Sequence, residues 1–183
     1  MTQSIFFVML SYMSSEILIN GNFFSPSKGD LTLEQVIKEI FGYMQESPEN
    51  RYEVVVGCDS PSSDKPFFPI AIVVLRVGSG GRFFLKKMHY PDEFLKRFVV
   101  WKSRILQEVY LSCELALSLR EELEKQNKFG LKYIFEYIHA DVGEIGKTKE
   151  MVKEVVGLIK SNGFEPKIKP YSFAATVVAD RYT

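Results

Sequence analysis

RYEVVVGCDS, Arg51 to Ser60, is the stretch on which the reading of this chain turns. Val54, Val55 and Val56 are β-branched and favour an extended backbone, and an unbroken apolar run of this length suits a central strand covered on both faces. Asp59 then stands at the carboxyl end of that strand, the rim at which open α/β sheets hold their ligands. The plainer reading is a turn aspartate that bonds its own backbone before Pro61. The positions of three other acids decide between the two.

With 183 residues, 46% of them hydrophobic, the chain is long enough for one well-buried domain and short for two. A single domain over 1–183 is expected, with residues 1–50 an N-terminal extension carrying one helix and 51–183 the core. Lysine plus arginine and aspartate plus glutamate both count 23, so no global field draws in a polyanion, although a balanced total can hide a basic groove beside an acidic site. Cys58 and Cys113 are the only cysteines and have neither metal-type nor redox-type spacing, which fits a reducing cytoplasm. The apolar run IFFVML near the N-terminus has no basic residue before it, no cleavage site after it and too few residues to span a bilayer. No membrane association is expected, and either Met1 or Met13 can be the initiator.

Outward from the central stretch, Thr32 followed by Gln35 makes a capping box, and Leu33, Val36, Ile37, Ile40 and Met44 supply the stripe of the helix it opens. SPSKGD, Ser25 to Asp30, reads as loop. Phe67 to Arg76 and Arg82 to His89 are strands joined by a glycine-rich reversal, hence an antiparallel hairpin. From Phe94 to Leu123 apolar residues recur at helical spacing, giving one long helix or two nearly collinear ones. Leu131 to Ala140 is a strand ending at Asp141, a helix follows from about Thr148 to Ser161, Phe164 to Ile168 is a short strand, and Ser172 can cap a last helix. Three strands in a meander followed by β, α, β, α give a mixed five-stranded sheet with helices on both faces.

This order of elements, taken with its acids, resembles the ribonuclease H-like fold, and the chain is similar to its small bacterial YkuK-like family. The matching stretches are VGCDS at Val56 to Ser60, HADVGEIGKTKEMVKEVVGLIKSNGF at His139 to Phe164, and KPYSFAATVVADRYT at Lys169 to Thr183. Cys58 and Pro61 depart from the threonine and glutamine usual in that family near the first acid. The resemblance implies an α/β, three-layer fold with sheet order 3-2-1-4-5 and an extra N-terminal helix. It also implies acids at the adjacent ends of the first and fourth strands, Asp59 and Asp141, a glutamate from the helix after the third strand, Glu108, and an acid from the final helix, Asp180. Such proteins use two Mg2+ or Mn2+ ions to activate water for attack on phosphorus, leaving a 5′ phosphate and a 3′ hydroxyl.

Four like charges crowd together only if cations offset them, and hard oxygen donors suit ions about 4 Å apart that hold attacking and leaving oxygens in line. Glu93 rivals Glu108, and Glu121, Glu122 and Glu124 lie near the far end of the long helix. Asp180 faces the sheet if Phe173 and Val177 define the buried stripe of its helix, and faces solvent if Ala174 and Val178 do. His139, two residues before Asp141 and on the same face, can orient a carboxylate or assist proton transfer, or be a buried histidine satisfied by one hydrogen bond.

GEIGKT, Gly143 to Thr148, lies between strand and helix like a phosphate-binding loop, but Asp141 occupies the position of the first glycine. Lys147 and Thr148 are then candidates for contact with a nucleic-acid phosphate. Lys86, Lys87, Lys96, Arg97, Lys102, Arg104, Lys167, Lys169 and Arg181 are further basic candidates or simply solvated faces. The expected function is a metal-dependent nuclease acting on RNA, RNA/DNA hybrid or DNA, with RNA favoured as partner. An inactive nucleic-acid-binding module is the alternative, and a nucleotide hydrolase built on GEIGKT the third.

Overall fold

The computed structural model describes residues 20–128 and 130–174. The apolar N-terminal run, both candidate start methionines, most of the expected last helix, Asp180 and Arg181 lie outside the described residues.

Among the described residues a seven-stranded sheet organises the fold: β1 (Phe23–Ser25), β2 (Gly29–Leu31), β3 (Tyr52–Cys58), β4 (Phe68–Arg76), β5 (Gly80–Met88), β6 (Tyr133–Ala140) and β7 (Glu165–Lys167), in the order β2-β1-β5-β4-β3-β6-β7. The expected five strands and their order are present as β5-β4-β3-β6-β7. The count of five is corrected to seven because SPSKGD, expected as loop, carries the turn of a three-residue hairpin, with Gly29 at φ +73°. Strands this short do not complete two alternations and leave no period to read. That hairpin joins the sheet through Phe24 opposite Leu85, at the β5 edge.

β3 lies in the middle, antiparallel to β4 and parallel to β6, which in turn is parallel to β7. Its burial follows from its sequence. Tyr52, Val54, Val56 and Cys58 join the core beneath the helices, while Val55 packs on the opposite face with Ala71, Val73, Leu85 and Ala174. Both faces of the strand are therefore dry, and a continuous β-branched run fits where alternation would not.

Four helices accompany the sheet among the described residues: α1 (Leu33–Gln45), α2 (Asp92–Phe98), α3 (Trp101–Gln126) and α4 (Val152–Ser161). Thr32 closes the capping box at α1, accepting from the Gln35 N–H while the Gln35 side chain accepts from its own. The long helical pattern is two helices, broken where Val100 adopts ψ 112°, and Val99 and Val100 are exposed at the break. The expected helix from Thr148 opens as a 3-10 turn, Lys149–Met151, before becoming α-helical at Val152. Leu111, Leu115 and Leu119 of α3, Val36 and Ile40 of α1, and Val155 and Ile159 of α4 fill the main core. On the other face Phe173 and Ala174 begin the cover. No helix among the described residues is long and apolar enough to cross a membrane.

Candidate active site

The parallel register between β3 and β6 ends at Cys58 opposite Ala140. The next residue on each strand is an acid. Asp59 and Asp141 thus leave neighbouring strands, about 4.8 Å apart, at the same rim. Asp59 is held by its backbone N–H, which donates to the Pro69 carbonyl at 3.3 Å and extends the β3–β4 pairing one residue past the strand. Beyond the end of β6, Val142 is buried immediately after Asp141, which fixes the chain as it leaves the sheet.

The third acid arrives from the helix layer. Glu108 lies on the α3 stripe with Ile105, Leu111, Ser112 and Leu115, spaced by three, four and seven residues, and is 5% exposed. Its Oε1 accepts from both the backbone N–H of Ser60, at 3.1 Å, and the Ser60 hydroxyl. Burial pushes the Glu108 carboxyl up to about 8, the Asp59 charge adds to that, and the Ser60 donors and the Arg104 guanidinium pull the other way. Burial also raises the Cys58 thiol well above its usual range, with further contributions from Glu108 and Asp59, so Cys58 packs as an apolar residue and offers no thiolate. The rival Glu93 is exposed on α2, and Glu121 and Glu124 are exposed near the far end of α3.

One consequence is measurable in the metal-free protein. Between the usual 4.5 and about 8 the folded protein holds a proton that the unfolded chain has lost, so the stability contributed by this carboxyl is complete below 4.5 and is lost as pH rises through about 8. Urea unfolding in EDTA at pH 5 and pH 9 should therefore show wild type losing on the order of a few kcal/mol relative to Glu108→Gln, which cannot ionise. Equal losses in both proteins would remove the buried carboxyl as the cause.

Asp141 has a different environment. Its Oδ2 pairs with Lys169 Nζ at 2.7 Å, whereas its Oδ1 is buried without a hydrogen-bond partner among the described residues. His139, 1% exposed, accepts at Nδ1 from the Ala174 N–H at 3.1 Å and meets the Phe173 ring edge-on, centroids 4.6 Å apart. Burial, with the Lys167 charge, lowers its pKa from 6.5 to about 4, so it is neutral at physiological pH and tethers the start of the C-terminal segment to β6.

Lys147 and Thr148 both have partners within the chain. Lys147 Nζ lies 5.1 Å from the centroid of the Trp101 ring, and the Thr148 hydroxyl accepts from the Gly143 N–H at 3.1 Å. Lys102 approaches the same indole, 5.6 Å from its centroid, and pairs with Glu150. Arg104 donates to the Ser62 hydroxyl at 2.9 Å. Ile145, Val99 and Val100, neighbours of these residues in the chain, are exposed. Other basic candidates are used elsewhere: Lys167 pairs with Glu53 and lies over Tyr137, and Lys86 is buried against Phe23. Ser60 and Trp101 were not singled out by the sequence. Ser60 adjoins the first acid, a position that could have flagged it; nothing in the linear pattern around Trp101 marks it apart from the helix stripe.

The donors at the rim are hard oxygens, and the orphaned Oδ1 of Asp141 fits a hard divalent cation. Among the described residues no three acids, histidines or cysteines converge closely enough to make a metal cluster, since Glu108 is turned to Ser60 and Asp180 lies outside that set. A family model described as "Ribonuclease H-like" matches residues 35–183. The uncharacterised protein YkuK of Bacillus subtilis (strain 168) is 28% identical over 166 residues, covering 88% of this chain and 96% of that protein. No solved structure matches.

Proposed function

Because the chain belongs to the Ribonuclease H-like family, we propose that it is a divalent-metal-dependent nuclease that hydrolyses phosphodiester bonds. The observation that carries this reading is the parallel register that brings Asp59 and Asp141 to one rim, with the buried carboxyl of Glu108 close enough to Asp59 to feel its charge. Asp59, Asp141 and Glu108, joined by Asp180 as the fourth acid, would hold Mg2+ or Mn2+. When bound, such ions supply an activated water and offset the charge that develops at phosphorus.

The chain's own residues do the rest. Ser60 fixes Glu108 through two donors, and the Asp59 N–H bond to Pro69 fixes the first carboxylate. Trp101, packed in part against the core, has Lys102 and Lys147 beside its ring, and two cations so placed suit the phosphates of a single strand of RNA or DNA. Neutral His139 holds the start of the C-terminal segment, at Ala174, against β6.

A second reading, a nucleic-acid-binding module without turnover, draws on the fact that Asp141 already has a cation in Lys169 and Glu108 has its donors in Ser60. The two readings part in one assay. RNA, RNA/DNA hybrid and single-stranded DNA are incubated with the protein in Mn2+, in Mg2+ and in EDTA. Cleavage in metal alone is the expected result. Binding without cleavage in every buffer would leave the module, and undiminished cleavage in EDTA would sink the metal mechanism.

A further inference from the structure

Lys169 is joined to Asp141 in two ways. Its backbone N–H donates to the carbonyl of Val142, at 2.8 Å, and its Nζ reaches Oδ2 of Asp141 at 2.7 Å. The approach is close enough that a Cβ on Gly143 would lie 3.2 Å from Lys169 Cβ, tighter than ordinary contact, so a bare glycine after Val142 lets the two segments meet. The main-chain anchor fixes the lysine at the rim, while its side chain, 47% exposed, is free to leave without opening the core.

The carboxylate is left with an asymmetric environment. Oδ2 is neutralised by an ammonium, and Oδ1 is buried without a partner among the described residues. An aspartate at the same rim as the first acid carries a charge that the site must offset whether or not a divalent ion is present. We propose that Lys169 is the resident counter-cation of the site, competing with a divalent ion for Asp141 and leaving Oδ2 when that ion binds. This rests on the metal-site reading above and adds to it a residue that sets how tightly the ion is held. A single positive charge on the same carboxylate repels the incoming ion at contact range, where screening by salt is weakest. Its removal leaves Asp141 with no ion pair among the described residues.

The test uses the metal-free full-length chain titrated with Mn2+, free ion being followed by its electron paramagnetic resonance signal. Lys169→Met should bind Mn2+ about tenfold more tightly than wild type, the direction set by the loss of a neighbouring like charge. Lys169→Arg, which keeps the charge, should bind as wild type does. Lys169→Gln keeps a donor for Oδ2 without the charge and should follow Lys169→Met, so the result does not depend on one variant folding. Unchanged or weaker binding in both neutral variants would overturn the role of Lys169 while leaving the metal site standing. Absence of saturable Mn2+ binding in wild type and both neutral variants would overturn the metal site and this role together.

Discussion

Asp59→Asn is expected to lower metal-dependent cleavage by about a thousandfold or more and to leave the fold intact. The substitution is nearly isosteric, and the backbone N–H of residue 59 keeps its bond to the Pro69 carbonyl, so β3 and β4 stay in register. What disappears is a negative charge at the end of the central strand. Loss of a metal-holding charge removes several kcal/mol of transition-state stabilisation, and each 1.36 kcal/mol is about tenfold in rate. Stability should move the other way. The Asp59 charge helps to raise Glu108, so neutralising it lowers the cost of ionising that buried carboxyl, and the variant should melt no lower than wild type at pH 8. Cleavage that persists in a well-folded Asp59→Asn protein, and in Asp141→Asn beside it, would move the chemistry to another part of the surface.

Phe68→Ala is expected to cost about 3–5 kcal/mol of stability, the range for removing a large aromatic ring from a core. Phe68 is fully buried and meets Phe98 and Tyr90 edge-on, with centroids 4.9 and 5.5 Å apart. Those partners come from α2 and from the segment leading into it, so one ring pins that region to β4. Gln107 of α3 donates to the Tyr90 hydroxyl at 2.8 Å, which carries the packing on to the helix of Glu108. The next residue along, Pro69, supplies the carbonyl that holds Asp59. Urea unfolding gives the measurement, and a loss below about 1 kcal/mol would mean that this aromatic cluster is loosely packed.

Much of the architecture was legible because its signals are local. A β-branched run bounded by polar turns, a capping box at Thr32 and a change of period after Pro91 each report the structure of their own segment. The β1–β2 hairpin was not legible, since three-residue strands show no period and the pairing of Phe24 with Leu85 spans most of the intervening chain. The division of the long helix was left open for a similar reason: valine is tolerated both in a helix and in the extended turn that Val100 makes.

The candidate site divides along the same line. That Asp59 and Asp141 end apolar strands is a property of the sequence. Glu108 was also within reach of periodicity, because it stands three, four and seven residues from Leu111, Ser112 and Leu115, yet a glutamate on a helix is ordinarily solvated and the pattern around it admits a neighbouring stripe. Its burial is a tertiary fact, created when α3 packs on β3 and Ser60 supplies two donors.

The sequence by itself determined the strand and helix types, the mixed sheet and the presence of acids at two strand ends, because each follows from spacing within a few residues. Only the tertiary structure decided which groups those acids face. The upward push on the Glu108 carboxyl arises from its burial beside Ser60, 48 residues earlier in the chain, and the ammonium on Asp141 from a loop that closes over Gly143. Electrostatic environment depends on distance and desolvation, and neither is set by neighbours along the chain. RYEVVVGCDS specifies a strand that ends in a carboxylate, and the packing around it sets what that carboxylate can hold.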